Sequence, residues 1–348
     1  MGEGHPRLPR LRPGCGSLGR IDALGWRAGK CFGAYGLRVG VRTNTPALLE
    51  RLAVHFPPGW QARRSPLVDL IFSVWVDPLR DGQRTNRVYA GRRRCARTAD
   101  LDQALAVLES ELRQAVAAGA ARRTFVHAGV VGWKGRAIVL PGRSRSGKTT
   151  LVAELVGIGA QYLSDEFAVL DRRGRAHPFL KPLSIRGPGG CDLHARARRA
   201  EDLGGTCATQ PLPVGLVVFA EHRPGARWRP ERLTPGRAVL EMLAHTVPAR
   251  LRPDDSLLAL ERAVRGATVL KGERGEARDL APLLLQSWNA TETTSHPGTG
   301  RMGTKRGVRR TPCPRPRSGA TRRAGGSPRA GGARRSGRAA VPRRGRPA

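Results

Sequence analysis

Residues 136–150 read Arg-Ala-Ile-Val-Leu-Pro-Gly-Arg-Ser-Arg-Ser-Gly-Lys-Thr-Thr, and this stretch decides the fold that the chain is expected to adopt. Gly142, Gly147, Lys148 and Thr149 satisfy G-x-x-x-x-G-K-[ST], the pattern of a phosphate-binding P-loop. Glycines let the loop turn successive backbone N–H groups inward, and the helix that follows adds the positive end of its dipole. The pattern therefore predicts a binding site for the phosphates of a nucleotide.

The flanking residues have the order that such a loop needs. Residues 137–140 form an apolar run suited to a buried strand, and apolar residues recur at helical spacing after the loop. Lys148 would reach the β- and γ-phosphates and the Thr149 hydroxyl would bind Mg²⁺, so ATP and Mg²⁺ are the expected cofactors. The alternative is a surface loop that matches the pattern by chance. The expected ATP-binding residues are Gly142, Arg143, Ser144, Arg145, Ser146, Gly147, Lys148, Thr149 and Thr150.

The composition favours a cytoplasmic globular protein. The 348 residues suffice for about two domains. The six cysteines show neither C-x-x-C nor metal-ligand spacing, as expected of reduced thiols. No apolar run approaches the roughly 18 residues of a membrane helix, and prolines and arginines interrupt the N-terminus where a signal peptide would be apolar. No contact with a membrane is therefore expected.

The net charge of +35 raises the question of nucleic-acid binding. Residues 291–348 contain 16 Lys and Arg against one acid, which gives this segment a net charge of +15. The segment is rich in Gly, Pro and Ser, and it has neither aromatic residues for base stacking nor a regular apolar period. We expect a solvated, disordered tail here, with a nucleic-acid-binding arm as the less favoured alternative.

The apolar patterns divide the chain into four parts. We expect disorder over 1–22, a small α+β module over 23–122, an ATP-binding α/β domain over 123–288, and a disordered Arg/Gly/Pro-rich tail over 289–348. The expected strands cover 35–41, 68–76, 125–132, 137–140, 212–219 and 267–270, and the expected helices begin near residues 46, 100, 148, 236, 254 and 277.

Two adjacent acids, Asp165 and Glu166, follow the predicted P-loop helix and a short strand. Such a pair can divide the work of phosphoryl transfer, one acid accepting the proton of an attacking hydroxyl and the other holding Mg²⁺. His127 lies on the strand expected beside the P-loop strand. Each has a simpler alternative, namely a core histidine for His127, a turn residue for Asp165 and a surface acid for Glu166.

The ordered set of motifs resembles the HPr kinase/phosphorylase group of serine kinases over residues 124–245. Val126-His127-Ala128-Gly129 resembles the His-Gly strand of that family, and Ser164-Asp165-Glu166 resembles its Asp-Asp pair. Ser184-Ile185-Arg186-Gly187 resembles its Glu-Ile-Arg-Gly segment, and Pro235-Gly236-Arg237 resembles its Pro-Gly-Arg-Asn turn. The resemblance implies a PEP carboxykinase-like P-loop fold. It also implies His127 as an active-site histidine, Lys148 on phosphate, Thr149 on Mg²⁺ and Asp165 as proton acceptor, with Arg237 as a further site residue.

The chain departs from that family at two positions. Ser184 stands where the family has a metal-binding glutamate, so either Glu166 takes over the metal or the second metal site is absent. Ala238 replaces the asparagine after the Pro-Gly-Arg turn, in a region that the family uses for phosphorylase action. The N-terminal half does not resemble the family's usual N-terminal domain.

The function that the resemblance implies is an ATP-dependent kinase that phosphorylates a serine-type hydroxyl. The acceptor stays open between a phosphocarrier protein, a modified peptide and a small molecule, and a homo-oligomer is compatible with the sequence. Two other classes remain: a non-catalytic nucleotide-binding regulator, which Ser184 supports, and a nucleic-acid adaptor, which depends on the basic tail alone.

Overall fold

The structure, a computed structural model, describes residues 8–14, 18–78, 85–143, 146–185 and 196–293. All of these residues belong to one compact unit of mixed α/β architecture. Within these ranges no helix is both long enough and apolar enough to cross a membrane. The sequence predictions for Ser144, Arg145, Arg186 and the segment 294–348 lie outside the described residues.

The first part of the chain builds a six-stranded sheet. Its strand order is β4-β2-β3-β6-β7-β8, and β1 pairs separately with β5. The strands and helices of this part are β1 (Arg10–Leu11), β2 (Ala28–Ala34), β3 (Leu37–Thr43), α1 (Leu49–Val54), β4 (Gln61–Ala62), β5 (Leu67–Val68), β6 (Leu70–Val76), β7 (Asn86–Ala90), β8 (Arg93–Thr98) and α2 (Leu101–Gly119).

Helix α2 covers one face of this sheet. Asp100 caps its N-terminus, because the Asp100 carboxylate accepts hydrogen bonds from the backbone N–H groups of Asp102 and Gln103. The Gln103 side chain contacts the Thr98 hydroxyl, so the reciprocal bond of a capping box does not form. Leu105, Leu108 and Leu112 are fully buried against the strands, as their helical spacing predicts.

The expectation of disorder over residues 1–22 is wrong for residues 8–14 and 18–22. Strand β1 pairs in parallel with β5, and a 3-10 helix covers Gly19–Leu24. Pro9 packs closely over the hairpin of β2 and β3, since a Cβ atom added to Gly29 would lie 2.3 Å from the Pro9 ring. The Pro- and Gly-rich composition conceals this packing because it depends on contacts distant in sequence.

The second part of the chain builds an eight-stranded sheet. Strand β10 pairs with both β9 and β16, so that β10, β9, β12, β13 and β16 form a closed circuit, and β18 and β17 continue outward from β16. The elements of this part are β9 (Thr124–Trp133), β10 (Arg136–Pro141), α3 (Lys148–Gly157), β11 (Gln161–Ser164), β12 (Phe167–Leu170), β13 (Arg175–His177), β14 (Leu183–Ile185), β15 (Arg196–Arg198), β16 (Leu212–His222), β17 (Glu231–Arg232), α4 (Pro235–Leu243), α5 (Pro253–Val264), β18 (Thr268–Arg274) and α6 (Ala277–Thr293).

Helices cover both faces of the second sheet. Helices α3 and α6 share one apolar cluster with the strands, and α4 and α5 share the other. Strands β10, β16 and β18 run parallel, so their carboxyl ends lie at the same edge, and this is the edge at which ligands bind in parallel α/β sheets and barrels. The loop that follows β10 therefore lies at the edge where a site is expected.

An aromatic cluster joins the two sheets. Tyr35, at the turn between β2 and β3, packs edge-on against Phe125 of β9 with 5.1 Å between ring centroids, and Phe167 and Phe179 complete the cluster. Tyr35 was predicted to begin a strand, but it has a positive φ of 51° in the turn. The two expected parts of the chain thus share buried surface within one compact unit.

Candidate functional site

The name glycine loop is used below for Gly142, Arg143, Ser146 and Gly147, the described residues between β10 and α3. The backbone N–H of Gly142 donates to the carbonyl oxygen of His127 at 3.1 Å, which ties the start of the loop to β9. Gly147 precedes α3 with a φ of 80°, in the left-handed region where glycine is favoured. The Lys148 ammonium lies over the loop and donates to the carbonyl oxygens of Gly142, at 2.9 Å, and Arg143. The loop, its lysine and the first turn of α3 therefore form one local unit.

The buried acid nearest this unit is Asp165, which lies in the turn between β11 and β12 and is 5% exposed. The Thr149 hydroxyl donates to Asp165 Oδ2 at 3.2 Å. The Tyr162 hydroxyl and the Lys181 ammonium lie 3.1 Å from Asp165 Oδ1. Burial, followed by the charge of Asp165, raises the pKa of Tyr162, so this phenol stays protonated. Both oxygens of Asp165 are thus in contact with hydrogen-bond donors.

Glu166 is directed toward α2. Arg113 Nε lies 3.1 Å from Glu166 Oε1 and 3.0 Å from Oε2, and only the first contact has hydrogen-bond geometry. Lys181 Nζ lies 3.7 Å from Oε2. Burial raises the pKa of Glu166, while the charges of Arg113 and Lys181 act in the opposite direction. Thr149 thus contacts Asp165, Lys181 lies between the two acids, and Glu166 also pairs with Arg113.

Two histidines lie near Lys148. The His127 ring packs on Phe167 with 4.9 Å between ring centroids, and the His127 backbone N–H donates to the carbonyl oxygen of His245 at 2.8 Å. Burial lowers the pKa of His127 most, and the charges of Lys148 and His245 lower it further. Burial and the charges of Lys148 and Arg143 likewise lower the pKa of His245. Both imidazoles are accordingly neutral at physiological pH.

The Thr149 hydroxyl and the Asp165 carboxylate are oxygen ligands of the kind that Mg²⁺ accepts. This cation prefers oxygen ligands and is usually held by one or two carboxylates together with water and substrate phosphates. In the part of the chain that the structure describes, no group of three or more His, Cys, Asp or Glu side chains could hold a metal ion. A cation at Thr149 and Asp165 would thus depend on phosphate and water for its remaining ligands.

The other predicted site residues are more exposed. Ser184 lies exposed on β14, and Arg237 lies exposed in the first turn of α4. Arg143 and Thr150 are exposed at the two ends of the loop unit, and Ser146 is partly buried.

Four residues of the site were not predicted from the sequence. Arg274, the last residue of β18, donates from Nη2 to the carbonyl oxygen of Gly147 at 3.1 Å. Lys181 and Arg113 pair with the acids, and His245 lies near Lys148. None of the four belongs to a motif, and the sheet order alone brings Arg274 to the loop.

No protein-family model matches the chain, and no curated protein sequence matches it.

Proposed function

We propose that the chain is an ATP-dependent kinase that transfers the γ-phosphoryl group of ATP to a serine-type hydroxyl. The observation that carries this proposal is the contact between Thr149 and Asp165 at the first turn of α3, beside Lys148. A P-loop site requires this combination of a glycine loop, a lysine, a hydroxyl and a nearby carboxylate. The same features support a PEP carboxykinase-like P-loop fold and a relationship to the HPr kinase/phosphorylase group.

The glycine loop and Lys148 bind and orient the phosphates in this proposal. Lys148 exchanges its contacts with the Gly142 and Arg143 carbonyl oxygens for phosphate oxygens, which are stronger acceptors because they are charged. Backbone N–H groups of the loop and the first turn of α3 add donors to the same place. Since phosphoryl transfer needs little covalent chemistry from a protein, this positioning and charge neutralisation supply most of the catalysis.

Thr149 and Asp165 are the residues that would hold Mg²⁺. The ion, when bound, neutralises negative charge on the β- and γ-phosphates. Lys181 fixes the Asp165 carboxylate from the other side, and the Tyr162 hydroxyl adds a second donor to the same oxygen. These contacts orient the Asp165 carboxylate, and Asp165 takes the metal role that the sequence analysis assigns to Glu166.

His127 is the group that accepts the proton of the attacking hydroxyl in this proposal. Its lowered pKa keeps the imidazole neutral and therefore able to take up a proton. The sequence analysis favours Asp165 for this role, but in this proposal the Asp165 carboxylate holds Mg²⁺ together with the Thr149 hydroxyl that it contacts. His127 also adjoins the glycine loop, since its carbonyl oxygen accepts the Gly142 N–H.

Two variants test this assignment through the release of phosphate from ATP, with water as acceptor until the natural hydroxyl is identified. His127→Gln should lower turnover by about 10²- to 10⁴-fold without changing ATP affinity. Asp165→Asn should raise the Mg²⁺ concentration needed for half-maximal turnover. His177→Gln serves as a control, because His177 lies on β13 and its ring contacts Asp171, not the glycine loop. A normal Mg²⁺ requirement in Asp165→Asn would contradict the assignment.

The second candidate function is a nucleotide-binding regulator without turnover. The observation that favours it is the exposed Ser184 on β14, where the HPr kinase-like pattern calls for a metal-binding carboxylate. Such a protein would bind ATP·Mg²⁺ with the same residues and would release no phosphate. The same turnover measurement therefore decides between the two functions.

A further inference from the structure

The Arg274 side chain is a buried cation at the N-terminus of a helix. The residue is 3% exposed and lies against the start of α3. A Cβ atom added to Gly147 would lie 2.4 Å from Arg274 Nη2, which shows how closely the guanidinium approaches the glycine loop. The N-terminus of a helix carries positive partial charge, so a second positive charge is unfavourable there unless an anion is present.

The partners of Arg274 are neutral. Nη1 donates to the carbonyl oxygen of Gly275 at 2.9 Å and Nη2 to that of Gly147 at 3.1 Å. Nε is buried and has no hydrogen-bond partner, and no carboxylate of the described residues lies within ion-pair distance of the guanidinium. Glu276 acts on Arg274 only through its charge at longer range, and burial lowers the pKa of the guanidinium. Arginine nevertheless stays charged in proteins, so this charge is uncompensated.

A second buried arginine of the same chain, Arg42, has the carboxylate partner that Arg274 lacks among the described residues. Arg42 is 4% exposed, and its Nη1 lies 2.7 Å from a carboxylate oxygen of Asp22. Its guanidinium also stacks on the Trp26 ring at 4.6 Å. Leaving a buried charge without a partner strongly destabilises a protein, which is why buried arginines are normally paired. Arg274 departs from this rule at the point where the glycine loop meets α3.

We infer that Arg274 is a phosphate-binding residue of the glycine loop, and that its missing anionic partner is the oligophosphate of a nucleotide. The inference rests on the proposed function, which supplies the ligand class. It adds a cation from β18 to the Lys148 ammonium, so that positive charge adjoins the loop from two elements distant in sequence. The ligand class that matches two cations at the loop is an oligophosphate with at least an α- and a β-phosphate. A monophosphate carries less negative charge and would pair with them less well.

The inference predicts that stability and binding change in opposite directions when Arg274 is replaced. In Arg274→Met the unpaired charge is gone, so the ligand-free protein should melt at the same temperature as the wild type or higher. The affinities for ATP and for inorganic pyrophosphate should both fall by about 10- to 100-fold, because a charge-assisted contact is lost. Arg274→Lys, which keeps the charge, should recover most of this loss. The affinity for AMP should change much less.

Arg42→Met is the matched control. It removes a buried arginine that has a carboxylate partner, so it should lower the melting temperature and leave the affinity for ATP unchanged. Calorimetric titration and thermal unfolding of the full chain give both quantities for each variant. Equal ATP affinity in the wild type and Arg274→Met would overturn the role of Arg274, and so would a loss of stability in Arg274→Met as large as that in Arg42→Met. A wild-type protein that binds neither ATP nor pyrophosphate would refute the proposed function together with the inference.

Discussion

Arg113 links helix α2 to the acid pair of the candidate site. Replacing Arg113 by methionine should lower the free energy of unfolding, because Glu166 would then be buried without this cation. The Arg113 side chain is 16% exposed and contacts Glu109, four residues earlier on α2, as well as Glu166. Removing one partner of a buried ion pair costs about 3–5 kcal/mol. Glu166 is 23% exposed and keeps Lys181 at 3.7 Å, so the expected loss at neutral pH is smaller, about 2 kcal/mol.

The loss should depend on pH in a direction that the pKa of Glu166 sets. Burial raises this pKa above the ordinary value of 4.5, while Arg113 opposes the rise. A carboxyl whose pKa is higher in the folded state destabilises the protein when ionised. This cost is absent below the unfolded-state pKa and is complete above the folded-state pKa. Without Arg113 the folded-state pKa rises further, so Arg113→Met should cost more at about pH 8 than at about pH 5.

Urea unfolding of four proteins at the two pH values measures this effect. They are the wild type, Arg113→Met, Glu166→Gln and the double variant. Because Glu166→Gln removes the charge that Arg113 compensates, Arg113→Met should cost much less in that background, as a double-mutant cycle reveals. Arg93→Met is the control. Arg93, at the start of β8, forms a solvent-exposed ion pair with Glu111 of α2, so this substitution should change stability little. An equal cost of Arg113→Met at both pH values, or an equal cost with and without Glu166, would refute this account of the ion pair.

Two further predictions concern packing and the C-terminal segment. Gly215→Ala should lower the free energy of unfolding by about 1–3 kcal/mol, because the added Cβ would lie 1.9 Å from the Trp288 ring. Gly236→Ala should be nearly neutral, because its added Cβ would have no atom within 4 Å. Equal changes of melting temperature in the two variants would contradict this prediction. Truncation after Thr293 should change neither the melting temperature nor the affinity for ATP, as the composition of the basic segment predicts. A fall of several degrees in the melting temperature would contradict that prediction.

The elements with strong local signals could be predicted from the sequence. The apolar spacing and the Asp100 cap predict α2, and the apolar run before Gly142 predicts β10. Helix α6 continues to Thr293, past Gln286, where the sequence predicts its end, and past residue 288, where the folded domain is expected to end, because its polar last turns carry no apolar period. Strand β8 also lacks an apolar alternation, since it reads Arg-Arg-Cys-Ala-Arg-Thr, and it was not predicted.

The residues that surround the glycine loop were harder to predict for a different reason. Arg274 follows Gly147 by 127 residues, and only the order of the parallel strands brings the two together. A single arginine also carries little information in a chain with 62 Lys and Arg. The roles of Asp165 and Glu166 depended on the direction of each side chain in a turn, and sequence spacing does not determine that direction.

The central claim is that Lys148 and the glycine loop bind the phosphates of ATP. Calorimetric titration of ATP·Mg²⁺ into the wild type and Lys148→Ala tests this claim most directly, with thermal unfolding of both proteins as the check on folding. The wild type should bind ATP·Mg²⁺, and Lys148→Ala should bind it at least about tenfold more weakly because a charged phosphate contact is lost. Equal affinity in two equally stable proteins would contradict the claim.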